Sequence, residues 1–554
     1  MRNQVIFHLS FLMFFGTQVI CPAQNGNARR PGWRNEFTAL NIEIDPAAGK
    51  MKGDARLTLV RSINGKGDVF LVLNRELQVL SVKDGMGKVM SYNRDSSSLI
   101  VHHQGDLFKK DTLDLYVTYE GSFTARVPEL NYLRAWIGPE ISYALTTSLF
   151  YPVIADTDSR SRGNITFYVP KDWTVVSSGK LAEERLLEDH KLYVFEINSP
   201  LVFYFAAAPF KSLRNNIDGV EVGVYLLNGD IKKARFYMEN CSRIVRFLKD
   251  YYGIFPYESY SVVEIPGEYL GISGGGSYEG LTFYRPVVFA NKAFYSPTFG
   301  HEIGHLWWPN YIGSHEGPVI TEGLAQMSMG LYLEHTVGEK VFRKLLKNGA
   351  EELQLWQTAS LYFKFISPAD SGKQYLPGIF RGEDLKLGIY LREKRQSLHT
   401  LANSKGFFTY FMLLDLIGPE AFREGMRNIM KRYAWCTDFT LDDLRHKLER
   451  ASGRNLKWFF DQWFFRKGAP EFSLSYEIKP IGKSYQIKGM VDQIREVYRV
   501  NAEIVLVNGE KRETRTVPIK SRKTPFSINL PFKPDTVLFD PDYKILRWAE
   551  EFKN

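Results

Sequence analysis

A chain of 554 residues exceeds what one hydrophobic core supports and points to three or four domains of about 150 residues each. Hydrophobic residues make up 44% and charged ones 24%, which excludes extended disorder, and the 14% aromatic content predicts well-filled cores. The formal charge of +9 comes from 71 basic against 62 acidic residues spread along the chain, with no Lys/Arg block, which argues against a nucleic-acid partner.

The first residues, MRNQVIFHLSFLMFFGTQVICPAQ, place Arg2 ahead of an apolar run from Val5 to Ile20 and small residues near Ala23. This is the pattern of a secretory signal peptide over residues 1 to 23. The run is interrupted by His8, Ser10 and Gln18 and is too short and polar for a membrane span. It predicts an exported protein, periplasmic or secreted, whose mature chain begins near Gln24 without a transmembrane span. Cys21 offers a site for a lipid anchor, but Gln18, Val19 and Ile20 make a poor lipoprotein box. Removal of the signal leaves Cys241 and Cys436, far apart, so no disulfide framework is expected.

From Phe37 to about Leu213 the chain reads as short alternating segments such as ARLTLV, DVFLVLN, LDLYVTY, NITFYVP and KLYVFEIN, separated by turn residues. Period-two alternation with turns this close predicts an antiparallel β domain over residues 24 to 213. The class then changes. In IKKARFYMENCSRIVRFLKDYYG, the residues Phe236, Cys241, Ile244, Val245 and Leu248 fall on one stripe of a helix ending at Gly253. Helical patterns continue through FFTYFMLLDLIG, EAFREGMRNIMKRYA and LDDLRHKLERASG, which assigns residues 214 to 468 to a mostly helical domain. WFFDQWFFRKGAPEFSLSYEI reads as a return to strands that run to about Trp548, a small β-sandwich over residues 469 to 554. The expected fold class is therefore multidomain α+β.

HEIGH, residues 301 to 305, places two of the ten histidines around a carboxylate. Pro297 suits a first helical turn and Pro309 must lie beyond the last, so the motif is expected inside a helix. Four residues of helix turn through about 400°, so His301 and His305 project from one face, one turn apart, where two ring nitrogens can meet one Zn²⁺. Glu302 lies about 100° around the same helix, beside a metal rather than on it, where a carboxylate can act as general base. A zinc of this kind needs a third protein ligand. VITEGLAQMSMGLYLEHTVG forms a second helical pattern closed by Gly338, and its Glu322 is the candidate. The plainer readings are packed core histidines and a helix-entry carboxylate facing the helix dipole.

HEIGHLWWPN, with Trp307 and Asn310, and TEGLAQ together resemble the aminopeptidase N family of zinc metallopeptidases. The β, helical and terminal β segments come in that family's order, so the resemblance covers most of the mature chain. It implies a saddle-like N-terminal β domain, a thermolysin-like catalytic domain and a β-sandwich. It also implies one zinc per chain, held by His301, His305 and Glu322, with peptides as substrate. GGGSYEG, residues 274 to 280, resembles the strand with which family members hold a substrate's amino terminus. Its Glu279 would pair with the ammonium, while glycines such as Gly276 would let an extended peptide approach the backbone.

The chain departs from the family at three places. Sixteen residues, Leu306 to Thr321, separate the second His from Glu322, two fewer than is usual. The stretch YALTTSLFYP lacks the Gln that family members add to the amino-terminal site. The phenol expected to stabilise the oxyanion is replaced: where the family has Tyr-x-Lys-Gly this chain has NSKG, placing Asn403 at that position, with His399, Tyr390 and Tyr410 as other candidate donors. An exported zinc metallopeptidase is the expectation, and a zinc-containing scaffold that has lost turnover is its rival. Glu302 discriminates between them, since a purely structural zinc needs no base.

Overall fold

The computed structural model of the chain describes residues 32–61, 67–103, 112–124, 126–127, 132–133, 135–155, 160–266, 275–289, 296–348, 401–494 and 496–547. The signal-like segment, Tyr390, His399 and Trp548 lie outside the described residues. Two compact units make up the chain. The first runs up to Arg243 and includes Phe255–Phe294; the second takes Ile244–Ile254 and everything from Tyr295 onward.

The first unit is β-rich, as the alternation predicts. In the strand Lys50–Arg61, Met51, Ala55, Leu57 and Leu59 turn inward while Lys52, Asp54 and Arg56 turn out. That strand lies inside a seven-stranded sheet in the order Lys180–Leu186, Lys191–Leu201, Ser161–Val169, Trp33–Asp45, Lys50–Arg61, Thr112–Gly121, Leu77–Asp84. The sheet is not purely antiparallel: Trp33–Asp45 pairs with Ser161–Val169 in parallel, in register from Phe37 opposite Arg162 to Glu43 opposite Tyr168. Alternation decides which face of a strand is buried, but it carries no information about the direction of a partner far away in sequence.

A five-stranded mixed sheet follows, in the order Lys211–Ile217, Val220–Leu226, Ser259–Glu264, Leu281–Tyr284, Gly275–Tyr278. The boundary expected at residue 213 falls within its first strand. Val220–Leu226 and Ser259–Glu264 are parallel, and the chain between them contains the helix Ile231–Tyr252. Cys241, Ile244, Val245 and Leu248 are buried on that helix, as its periodicity predicts. Phe236 is not: it is 37% exposed, because Tyr237 takes the inward position and Phe236 packs edge-on against it, ring centroids 5.3 Å apart.

In the second unit the helical patterns appear as Phe407–Ile417, Pro419–Arg432 and Leu441–Ser452. Thr440 starts the last of these with a reciprocal capping box to Asp443. One reading is corrected here. WFFDQW does not begin the terminal strands; Lys457–Trp463 is a helix that buries Phe459, Phe460 and Trp463. Aromatic residues favour strands, but the spacing of these three suits one helical face, and burial prevails over propensity. Strands start at Phe472 and form two three-stranded antiparallel sheets, with Phe472 of one against Phe539 of the other at 5.1 Å between ring centroids. Among the described residues no helix is long and apolar enough to cross a membrane.

Candidate metal centre

HEIGH enters the structure at the end of the helix Ser296–Gly304. The helix stops at Gly304, five residues before Pro309, so His305 lies just past its last residue and not inside the helix as expected. The geometry of a turn nevertheless persists, since the His305 N–H still donates to the His301 carbonyl at 3.2 Å. Tighter bonds from Leu306 to Ile303 and from Trp307 to Gly304, with an α-type bond from Trp308 to Gly304, then close the helix. The turn is anchored by its two tryptophans, both fully buried: Trp307 Nε1 donates to the Ile254 carbonyl at 3.0 Å, and Trp308 Nε1 donates to the Tyr252 hydroxyl at 3.2 Å.

The chain returns in the helix Pro318–Val337, which carries Glu322 in its second turn and ends on Gly338. The two helices meet through glycine. A Cβ on Gly304 would lie 2.7 Å from the Ala325 carbonyl, and one on Gly300 would lie 3.0 Å from the Met329 side chain. The glycine inside HEIGH therefore lets the backbones approach closely enough for Glu322 to reach both histidines. Gly304→Val should force this contact apart, at about 3 kcal/mol, the upper end of overpacking costs. Thermal denaturation and metal uptake, measured together, should both fall.

The convergence is close. His301 Nε2 and His305 Nε2 are 3.1 Å apart, Glu322 Oε2 is 3.3 Å from the first and Glu322 Oε1 is 3.5 Å from the second. His301 is 3% exposed, His305 7% and Glu322 1%. Three donors on a tetrahedral ion with bonds of about 2.0–2.1 Å stand about 3.3 Å from one another, and here one donor atom from each of the three residues lies within 4.8 Å of the others, with a different Glu322 oxygen nearest each histidine. Two imidazoles and one carboxylate crowded away from water are poorly matched to one another alone and well matched to a divalent cation. His305 is oriented for this task, because its Nδ1 donates to the Trp308 carbonyl at 2.7 Å and leaves Nε2 facing the cluster. Burial depresses His301, but Glu322, Glu302 and Gln326 together outweigh it, so its pKa is raised.

Glu302 stands beside the triangle, 1% exposed, with no hydrogen-bond partner at Oε1. Burial pushes its carboxyl up to about 7, against the pull of His301 and with the push of Glu322. A desolvated carboxylate with an uncommitted oxygen beside three convergent ligands is placed to exchange a proton.

Asn403 also reaches the cluster, in a role its sequence position did not predict. It lies in a π-helical turn, Ala402–Gly406, and its Nδ2 donates to Glu322 Oε2 at 3.1 Å. Its amide is thus engaged with a ligand carboxylate. Tyr410 is occupied elsewhere: its buried hydroxyl donates to the Val319 carbonyl at 2.8 Å. Glu279 and Gly276 belong to the first unit. Gly276 sits in the strand Gly275–Tyr278 opposite Phe283, and Glu279 follows at the hairpin turn, where Gly280 takes φ +78°. Glu279 is 2% exposed and engaged at both oxygens, with Arg160 Nε at 2.5 Å from Oε1 and the Val202 N–H donating to Oε2 at 2.5 Å. Sequence reasoning missed Arg160, which sits in SRSRGN with nothing local to mark it, and the Trp308 carbonyl, which no side-chain pattern reports.

No protein-family model matches the chain. It is 21% identical to Probable aminopeptidase 2 of Sulfurisphaera tokodaii over 415 residues, which is 71% of this chain and 50% of that protein. It is likewise 21% identical to Glutamyl aminopeptidase of Mus musculus over 350 residues, 59% of this chain and 34% of that one. The crystal structure of Legionella pneumophila aminopeptidase A in complex with aspartic acid superposes with a TM-score of 0.68 at 16% identity, covering 95% of this chain and 60% of the other. The fold is therefore that of an aminopeptidase structure. The chain spans about half the length, or less, of the curated relatives it matches.

Proposed function

We propose, from the premise that the chain is a diverged relative of the aminopeptidase N family of zinc metallopeptidases, that it is an exported zinc-dependent hydrolase of peptide bonds in extended peptides. The observation that carries this reading is the buried triangle of His301, His305 and Glu322 with Glu302 beside it. The two-His, one-carboxylate donor set is that of catalytic zinc, which keeps a fourth position open. Export rests on the signal-like sequence of residues 1 to 23.

His301 and His305 bind as neutral imidazoles and Glu322 as a carboxylate. When bound, zinc supplies a Lewis acid that polarises a peptide carbonyl and brings the pKa of water to about 7. Glu302 would take a proton from the attacking water at its open oxygen as the water oxygen bonds to the carbonyl carbon, and give that proton to the leaving nitrogen as the C–N bond breaks, which spares the departing amine from leaving as an anion.

Amino-terminal cleavage follows from the names of the relatives. The Arg160–Glu279 ion pair favours a second mode, cleavage that does not require a free amino group, because the guanidinium already neutralises the carboxylate that would hold an ammonium. One experiment tests both. A peptide pool, each member free and N-acetylated, is incubated with the purified protein and its products are read by mass spectrometry. Chelator-sensitive cleavage of the free peptides is expected, and comparable cleavage of the acetylated ones identifies the second mode. No chelator-sensitive cleavage at all would leave the non-catalytic scaffold as the better account.

A further inference from the structure

We propose that Asn403 is a positioning residue for the metal, holding the Glu322 carboxylate in its ligating orientation; this rests on the metal reading of His301, His305 and Glu322. The contact is direct, from Asn403 Nδ2 to Glu322 Oε2 at 3.1 Å, between side chains 0% and 1% exposed. A glutamate ligand has three rotatable bonds, and its carboxylate must be held to present one oxygen to an ion. Outer donors that fix such groups are part of a metal site's design.

Asn403 is itself held firmly. Gly323, adjacent to Glu322 in sequence, has no side chain, and a Cβ there would already be 3.5 Å from the Ala402 carbonyl, so the segment carrying Asn403 packs onto the ligand helix. Lys405, 1% exposed, donates from Nζ to the Arg466 carbonyl at 3.0 Å, and the Thr409 hydroxyl donates to the Lys405 carbonyl at 2.7 Å. The first of these bonds ties the π-helical turn to a segment 61 residues away, and the second ties it to the helix that follows. The chemistry of the side chain suits the role as well. A cationic donor would neutralise the carboxylate that the metal needs, whereas a neutral amide orients it and leaves the charge available.

The test measures zinc affinity by competition with a chromophoric chelator, together with the unfolding midpoint of the zinc-free protein. Asn403→Ala removes the donor, and Asn403→Leu removes it while roughly conserving volume. Tyr410→Phe is the control, since it loses a buried hydrogen bond to the same helix without touching a ligand. Both Asn403 variants are expected to bind zinc about 10–100-fold more weakly, with Tyr410→Phe close to wild type in affinity even where its midpoint falls. The inference is overturned if the Asn403 variants keep wild-type affinity, or if Tyr410→Phe weakens zinc binding as much as they do. A wild-type protein that binds no zinc would instead overturn the metal reading on which the inference stands.

Discussion

His305→Ala protein is expected to purify without zinc, to cleave no peptide, and to show no rise in unfolding temperature when zinc is added. The three candidate ligands converge, with the ring nitrogens 3.1 Å apart, one Glu322 oxygen 3.3 Å from His301 and the other 3.5 Å from His305, and removing His305 leaves His301 and Glu322, too few to hold an ion against water. The wild-type protein gains stability from the ion by mass action, about 4 kcal/mol at a thousandfold excess over the dissociation constant, and the variant forfeits that gain. Elemental analysis and paired melting curves with and without zinc check the result. A variant that retains stoichiometric zinc would move the site elsewhere.

Glu302→Gln should behave in the opposite way toward the metal. Glutamine matches glutamate in shape but cannot accept a proton, so hydrolysis should slow by about 10²–10⁴-fold, the usual contribution of a general base. Zinc content should stay near one per chain, because Glu302 stands beside the triangle and not in it. The zinc-free protein should also become somewhat more stable, since the substitution removes a buried carboxylate whose Oε1 has no hydrogen-bond partner. Lost turnover with retained zinc and a raised melting temperature is the signature of a catalytic group kept at a cost to stability. Unchanged turnover would remove Glu302 from the mechanism.

The parts of this protein that were legible in its sequence depend on local spacing. His301 and His305 are four residues apart, and helical geometry alone puts them on one face. Glu322 was found because a second helical pattern begins nearby, and the alternation of Met51, Ala55, Leu57 and Leu59 announces its strand without help from any other segment. What was not legible is decided at long range. The parallel pairing of Trp33–Asp45 with Ser161–Val169 joins segments with no local reason to meet. Arg160 reaches Glu279 across 119 residues, and Asn403 reaches Glu322 across 81, so neither partner could be read from its neighbours. Phe236 and the Lys457–Trp463 helix failed for a different reason. Helical spacing put Phe236 on the buried stripe and WFFDQW was read as strand, while in both the packing of adjacent aromatic residues decided the outcome.

The same difference in sequence separation orders the events of folding. All three candidate ligands come from one short pair of helices joined by thirteen residues, 305–317, a closure that costs little chain entropy and is expected early. The segment bearing Asn403 must close a much longer loop before it docks. An ion can therefore be captured by a hairpin that is only partly packed, held there while Glu322 still samples other orientations, and committed only when the distant turn arrives. Zinc release should accordingly begin with undocking of that turn, long before the hairpin itself opens, so that exchange of the ion reports on a local opening and not on global unfolding.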